Sequence, residues 1–385
     1  MSGTIIARRP RSSPAPAAWR DRLWSLRDRL LMDARFQRWA ATFPLTRPIA
    51  RRQASAAFDL CAGFVYSQIL AACLELDLLR KLAVAPQTTA ALAAQSSLTP
   101  VAMERLLAAA AALKLVAPRG SGRWGLGMTG AAISGTPGLA EMVRHHALLY
   151  ADLADPVALL RRERGATTLA AYWPYATAAD PAALPSKTVA PYSQLMTASQ
   201  AMIGRDIVDA YPFGHHKKLL DVGGGEGAFA RAVADATTLA QLAVFDLPAV
   251  VARARDLTSA AAQQSRIECL GGDFLRDPLP AGADLITLVR VLHNHDDDAA
   301  MTLLHNVRRA LPPGGRVLVA EPMSATPGAE AMGDAYFGFY LLAMGRGRPR
   351  TAEALQAMLV QAGFSRPKLW PTARPMLVRV LTADA

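Results

Sequence analysis

Residues 219–236 read LLDVGGGEGAFARAVADA: an apolar strand, a glycine-rich turn and the start of a helix. Gly223, Gly225 and Gly227 let the backbone turn sharply and approach a ligand with no side chain in the way. Alone the turn is ambiguous, because Gly223-x-Gly225-x-x-Ala228 also fits a loose dinucleotide fingerprint. The next strand, AVFDLP (243–248), ends in Asp246. An acid about twenty residues beyond such glycines is placed to bind both hydroxyls of a ribose. A third strand ends in Asp273 and Phe274, an acid and a ring suited to an adenine amine and an adenine face. With Asp221 before the glycines, the order fits a compact nucleoside ligand at the carboxyl ends of a sheet.

Outward from that stretch the pattern is strand–helix alternation, which predicts a parallel α/β sheet. The expected strands are KLLDVG, QLAVFDL, RIECLGGD, ADLITLVRVL, GRVLVAEPM and a late one near PMLVRVLTA. A Pro/Ala-rich break, ADPAALPSK (179–187), separates this part from a mostly helical one. The expected division is a basic tail over 1–18, amphipathic basic helices over 19–52, a helical winged-helix-like domain over 53–180 and a ligand-binding α/β domain over 181–385. In the helical part Thr99 and Pro100 mark a helix start. LVAPRGSGRWGLG (115–127) reads as a two-stranded wing. Arg105 and Lys114 stand against Glu104 on the preceding helix, whose surface is otherwise alanine. That is poor for DNA, so no nucleic-acid partner is expected, and an apolar winged helix reads better as an interface.

The net charge is +11, and residues 1–52 hold twelve arginines against three aspartates, a net +9. The rest is near neutral with a basic arm, open to anionic lipid, nucleic acid or an acidic partner. Trp19, Leu23, Leu26 and Leu30 share one helical face; Met32, Phe36, Trp39 and Phe43 share another. Such helices either lie on a membrane surface or pack on protein. No run reaches the ~18 apolar residues of a membrane span, and no secretory signal is seen. Cys61, Cys73 and Cys269 offer neither a disulfide framework nor zinc spacing, so the cytoplasm is the expected compartment.

LLDVGGGEG, FDLP, GGDF, RVLHNHDD, LPPGGRVLVAEPM and PRTAEALQAMLVQAGF occur in the order seen in class I S-adenosylmethionine-dependent small-molecule O-methyltransferases with a winged-helix dimerisation domain. The resemblance covers about residues 55–385. It implies a Rossmann-like methyltransferase domain preceded by a mostly helical dimerisation domain, and a homodimer. It implies that Gly223, Asp246, Asp273 and Phe274 bind S-adenosylmethionine; Asp221, Gly225 and Arg290 complete the expected cofactor set.

Methylating a hydroxyl needs a base, with water excluded. His293 ends the fourth strand and matches the family's catalytic histidine. Glu321, ending the fifth, matches a carboxylate that orients it. A second acid usually precedes the Arg-Thr pair, but here Pro349 stands there. His295 replaces a residue that relatives keep aromatic, so it reads as a packing variant, with a second catalytic histidine as the sharper option. A metal site of His293, His295 and the aspartates is not expected, since this chemistry needs none and no distant ligand cluster completes a shell. The aspartates read as a helix start, Asp296 capping and Asp297 and Asp298 at the dipole end.

AMGDAYFGFYLLAMG (331–345) is rich in large apolar groups. The family uses this segment for substrate, so Met332, Tyr336, Phe337, Tyr340 and Met344 are pocket candidates, with Tyr192 and Met196 as weaker ones. As a bare pattern the same stripe is also a core helix. RFQRWAATFPLTRPIARR and AFDLCAGFVYSQILAACLELDLL are similar to the carotenoid O-methyltransferases of purple photosynthetic bacteria, which methylate the tertiary 1-hydroxyl of acyclic hydroxycarotenoids. This implies a membrane-dissolved acceptor and peripheral association with the inner, photosynthetic membrane. A phenolic, polyketide or tetrapyrrole acceptor is the alternative. A winged-helix regulator sensing S-adenosylmethionine is a third.

Overall fold

Hydrophobic periodicity becomes ten strands and the helices between them in the computed structural model, which describes residues 18–136, 138–163, 165–173, 185–239, 241–259 and 266–385. The tail over 1–18, apart from Ala18, and most of the 179–187 break lie outside the described residues. The chain divides into two units, Met1–Ala72 and Cys73–Ala385.

The first unit holds helices Ala18–Met32 and Ala34–Thr42 and most of a long helix, Arg47–Glu75. Asp33 separates the first two by capping the second: its carboxylate accepts from the Arg35 and Phe36 N–H groups at 2.8 and 2.7 Å. Trp19, Leu23, Trp24, Leu26, Leu30, Trp39 and Phe43 are exposed. The guanidinium of Arg27 lies 4.4 Å over the Trp24 ring. Arg47–Glu75 is long and apolar enough, by length and composition, to cross a membrane. That differs from the sequence expectation because Asp59, Ser67 and Gln68 interrupt the apolar run while its average over a span-length window stays high.

The second unit opens with helices Leu78–Val84, Thr89–Gln95 and Pro100–Ala112 around a three-stranded sheet. The predicted wing is β2 (Val116–Arg119) paired antiparallel with β3 (Arg123–Leu126). A short β1 (Gln87–Thr88) adds to β3. Thr99 caps the third helix on the Ala102 N–H.

The larger sheet has seven strands: β4 (Lys218–Val222), β5 (Gln241–Asp246), β6 (Ile267–Gly271), β7 (Leu285–Val289), β8 (Arg316–Glu321), β9 (Ser365–Trp370) and β10 (Arg379–Asp384). Their order is β6-β5-β4-β7-β8-β10-β9. β10 runs antiparallel to both of its neighbours. The central strands are apolar on both faces, as buried parallel strands are. Leu220, Val222, Ile286 and Leu288 pack under helices Asp297–Ala310 and Ala352–Gln361; Leu219, Val244, Leu285 and Val289 pack under Ser186–Ala210 and Ala228–Ala236. The chain goes outward from β4 through β5 to β6, then returns to β7 on the other side of β4. Strand order therefore reverses at β4, and ligands of open α/β sheets bind outside the carboxyl ends at such a point. β9 was not among the expected strands: it is the sheet edge, half-exposed, and carries Pro367, which only an edge tolerates.

Candidate active site

The turn after β4 needs its glycines. Gly223, Gly225 and Gly227 have φ of +69°, +59° and +76°, which L side chains rarely adopt. A Cβ on Gly223 would stand 2.7 Å from Val291 Cγ2, whereas one on Gly225 would meet nothing within 4 Å. The loop thus packs on one side and opens on the other, into a cleft of about 1060 Å³ that includes solvent at its mouth. Gly223, Gly225, Asp246, Asp273, Phe274, Arg290 and Met196 all line it.

Asp221 lies beneath the loop, fully buried. The parallel register sets it beside Thr287, whose hydroxyl donates to Oδ1 at 2.7 Å. Oδ2 has no partner. Burial pushes this carboxyl up to about 7 against the Thr287 bond, and Asp246 adds to the rise. Asp246 accepts from Gly225 N at 2.8 Å and Leu247 N at 2.7 Å. Burial still raises it to about 6. Each oxygen keeps a lone pair for a ligand hydroxyl. Gln200, also lining the cleft, has a buried unpartnered Oε1. Asp221, expected to bind the cofactor, does not line the cleft; the Asp246 carboxyl and the unmet Gln200 acceptor do, and a cationic, hydroxyl-bearing nucleoside would satisfy them. S-Adenosylmethionine carries those groups, so the residues present fit it.

Arg290, just past β7, has φ +58°. Its N–H donates to Ala320 O at 2.8 Å and its Nη1 to Ser199 Oγ at 2.6 Å, which holds this conformation. A 3₁₀ turn, Leu292–Asn294, follows and carries His293. His293 is buried and does not line the cleft; Val291, Asn294 and His295 do. Its Nδ1 is 3.3 Å from Glu321 Oε2 but is not aligned for a hydrogen bond. Oε2 accepts the His293 backbone N–H at 3.1 Å instead, and Oε1 has no partner. Catalytic hydrogen bonds are often loose before substrate binds. His295 points elsewhere, edge-on to Phe274 with ring centroids 5.5 Å apart. Burial lowers it to about 4, assisted by Arg346, so it is neutral. Among the described residues no three His, Cys, Asp or Glu side chains are grouped as metal ligands.

The segment expected to face substrate is a π-helical stretch, Ala331–Tyr336, running into helix Phe337–Met344. Phe337 stands 6.0 Å from the His293 ring. Tyr336 and Tyr340 bond His146 and His145 of helix Leu139–Leu153 at 2.8 and 3.1 Å. Tyr336, Tyr340 and Met196 pack on a buried cluster of Leu149, Leu169, Trp173 and Met344. Met344 is therefore core, and Met332, twelve residues earlier, is half-buried. The Tyr192 side chain lies outside the described residues. Sequence reasoning missed Trp173, Gln200, Asn294 and Arg346, which line the cleft from distant segments. It also missed Glu226, whose buried carboxylate joins Thr197 (2.8 Å) to Arg253 (2.6 Å). An acid inside a glycine turn was the available signal.

The sheet order, the glycine turn at its switch point and the acids at successive strand ends define a Rossmann-like S-adenosylmethionine-dependent methyltransferase. The chain belongs to the O-methyltransferase family: residues 150–365 match its O-methyltransferase domain and residues 58–131 its dimerisation domain. It is 45% identical over 355 residues to a demethylspheroidene O-methyltransferase of Cereibacter sphaeroides, covering 92% of this chain and 93% of that one. It is 40% identical to the protein of that name from Rhodobacter capsulatus, covering 92% and 88%. Human N-acetylserotonin methyltransferase, solved with S-adenosylmethionine, superposes with a TM-score of 0.71 at 25% identity, covering 86% and 97%. The protein is an S-adenosylmethionine-dependent O-methyltransferase. Phe58, Leu60 and Phe64, exposed on the long helix, fall within the matched dimerisation domain.

Proposed function

We propose that the protein methylates the tertiary 1-hydroxyl of an acyclic hydroxycarotenoid, with His293 as general base. The observation that carries the acceptor is the 45% identity, over nearly the whole of both chains, to a demethylspheroidene O-methyltransferase. The apolar surroundings of this region, with Tyr336, Tyr340 and Met196 packed on Leu149, Leu169 and Trp173 and with Phe337 beside the His293 ring, support an apolar acceptor. S-Adenosylmethionine supplies an electrophilic methyl on its sulfonium. Asp246, Asp273 and Phe274 hold the nucleoside. His293 takes the hydroxyl proton as the oxygen is methylated, and Glu321 stabilises the imidazolium that forms. Burial of His293 and Glu321, at 3% and 1% exposure, excludes water from that transfer. The active form is a homodimer. The basic arm, with its exposed Trp and Leu side chains, seats the enzyme on the membrane that dissolves the acceptor.

A phenolic acceptor is the second reading, favoured by 34% identity over 337 residues to mouse acetylserotonin O-methyltransferase. Labelled-methyl transfer decides between them. Purified enzyme should label a 1-hydroxycarotenoid in detergent micelles and leave a catechol unlabelled; the reverse result overturns the carotenoid assignment.

A further inference from the structure

Arg350 is the largest of the fully buried side chains among the described residues. A buried guanidinium is costly unless its donors are met, and here they are met in an unusual place. Nη1 donates to Leu292 O at 2.8 Å and Nη2 to His295 O at 2.7 Å. Nε and Nη2 both reach Asp297 Oδ1, at 3.0 and 2.8 Å. The two carbonyls bracket the 3₁₀ turn that carries His293. Asp297 opens the next helix, and its bonds to Arg348 and Arg350 lower its carboxyl to about 2.

The backbone of the same segment completes the grip. Gly347 N donates to Asp296 Oδ1 at 2.9 Å. Gly347 has φ +78°, and a Cβ there would stand 2.2 Å from His293 O. On its other side the segment meets the loop beyond β8: Ser324 N donates to Arg350 O at 3.0 Å, and Ser324 pairs with Thr351. Ser324 lies three residues after Glu321. Residues 347–351 are therefore a strap joined to the segment bearing His293 on one side and to the segment bearing Glu321 on the other.

We infer that Arg350 is a positioning residue that fixes the His293 turn against Glu321, with Asp297 as its counter-ion. It touches neither ring nor carboxylate of the pair. It sets their separation, 3.3 Å from Nδ1 to Oε2, through two main-chain carbonyls and one main-chain N–H bond. The planar fork of arginine is required, because one ammonium cannot reach both carbonyls and the carboxylate in that geometry. The inference rests on reading His293 as the base.

The test uses full-length enzyme and the hydroxycarotenoid in micelles, with Arg350→Lys, Asp297→Asn, His293→Ala and the two doubles that combine His293→Ala with each. Arg350→Lys should lower kcat about a hundredfold, the scale of a slightly misplaced catalytic group. Asp297→Asn, which removes only the charge, should lower it about tenfold. KM for S-adenosylmethionine should stay within about threefold in both, since uniform cofactor binding is untouched. In the His293→Ala background neither substitution should lower kcat further, because groups acting as a unit are not additive. A merely structural arginine would multiply its loss on top of His293→Ala, and that result overturns the inference. So does full kcat in a folded Arg350→Lys variant while His293→Ala is dead. Full kcat in His293→Ala instead removes the base reading itself. If Arg350→Lys does not fold, Asp297→Asn and its double decide by the same criterion.

Discussion

Gly224 and Gly225 are adjacent in the cofactor turn, yet alanine should act on them by opposite physics. At Gly225 the φ of +59° makes a side chain strained, but a Cβ would meet nothing within 4 Å. The strain of one left-handed L residue is about 1 to 2 kcal/mol. The added methyl would project into the open cleft, where the ligand must lie. Overpacking there costs about 1 to 3 kcal/mol of binding, or roughly 5- to 150-fold in affinity. At Gly224 the backbone is unstrained, but a Cβ would stand 2.5 Å from Asp221 Oδ2 and 3.0 Å from Val244 Cγ1. That collision is buried, so about 1 to 3 kcal/mol is lost from the fold itself. Denaturant unfolding read beside calorimetric titration with S-adenosylmethionine separates the two. Gly225→Ala should lose more affinity than stability, and Gly224→Ala should lose at least as much stability as affinity. A Gly225→Ala protein that binds S-adenosylmethionine as wild type does would refute the cleft as the cofactor site.

Two further outcomes are expected. Burial, and then the neighbouring charge of His146, lowers His145 to about 4, below the unfolded value of about 6.5. The unfolded chain therefore takes the proton first, so the contribution of His145 is whole above pH 6.5 and is lost as pH falls towards 4. The stability gap between wild type and the non-titrating His145→Phe should narrow steadily over that window; a gap independent of pH contradicts the buried neutral imidazole. Deleting residues 1–46 should abolish flotation with anionic vesicles and leave binding of S-adenosylmethionine intact, with high salt weakening flotation of the full chain. Unchanged flotation of the truncated chain removes the membrane role of the arm.

The part of the site that could be read from sequence is the part where residue type and local geometry are tied. Only glycine takes positive φ at no cost, so Gly223 and Gly225 declared the turn. Acids following apolar strands declared strand ends, and Asp246 and Asp273 line the cleft. The near-continuous apolar runs of β4, β5, β7 and β8 follow from burial of both sheet faces. The edge strand β9 obeys no such rule, since Pro367 and its charged neighbours satisfy only an edge.

RVLHNHDDD (290–298) shows why the rest was hidden. Local rules assign Asp296 to a helix cap, because a cap needs only a short polar side chain at the right position. In the fold that carboxylate makes no cap bond and accepts from Gly347, fifty-one residues away. Asp297 sits at the positive end of the helix as expected, but its strongest partners are Arg348 and Arg350. Nothing in the spacing of either segment announces the other, because the tertiary fold brings them together across the helices and the single strand, β8, that separate them in sequence. Pro349, read as the loss of a carboxylate beside the base, lies inside the strap between the two arginines that hold Asp297. What sequence showed as a gap in the support of His293 is, in three dimensions, the segment that supplies support from the main-chain side.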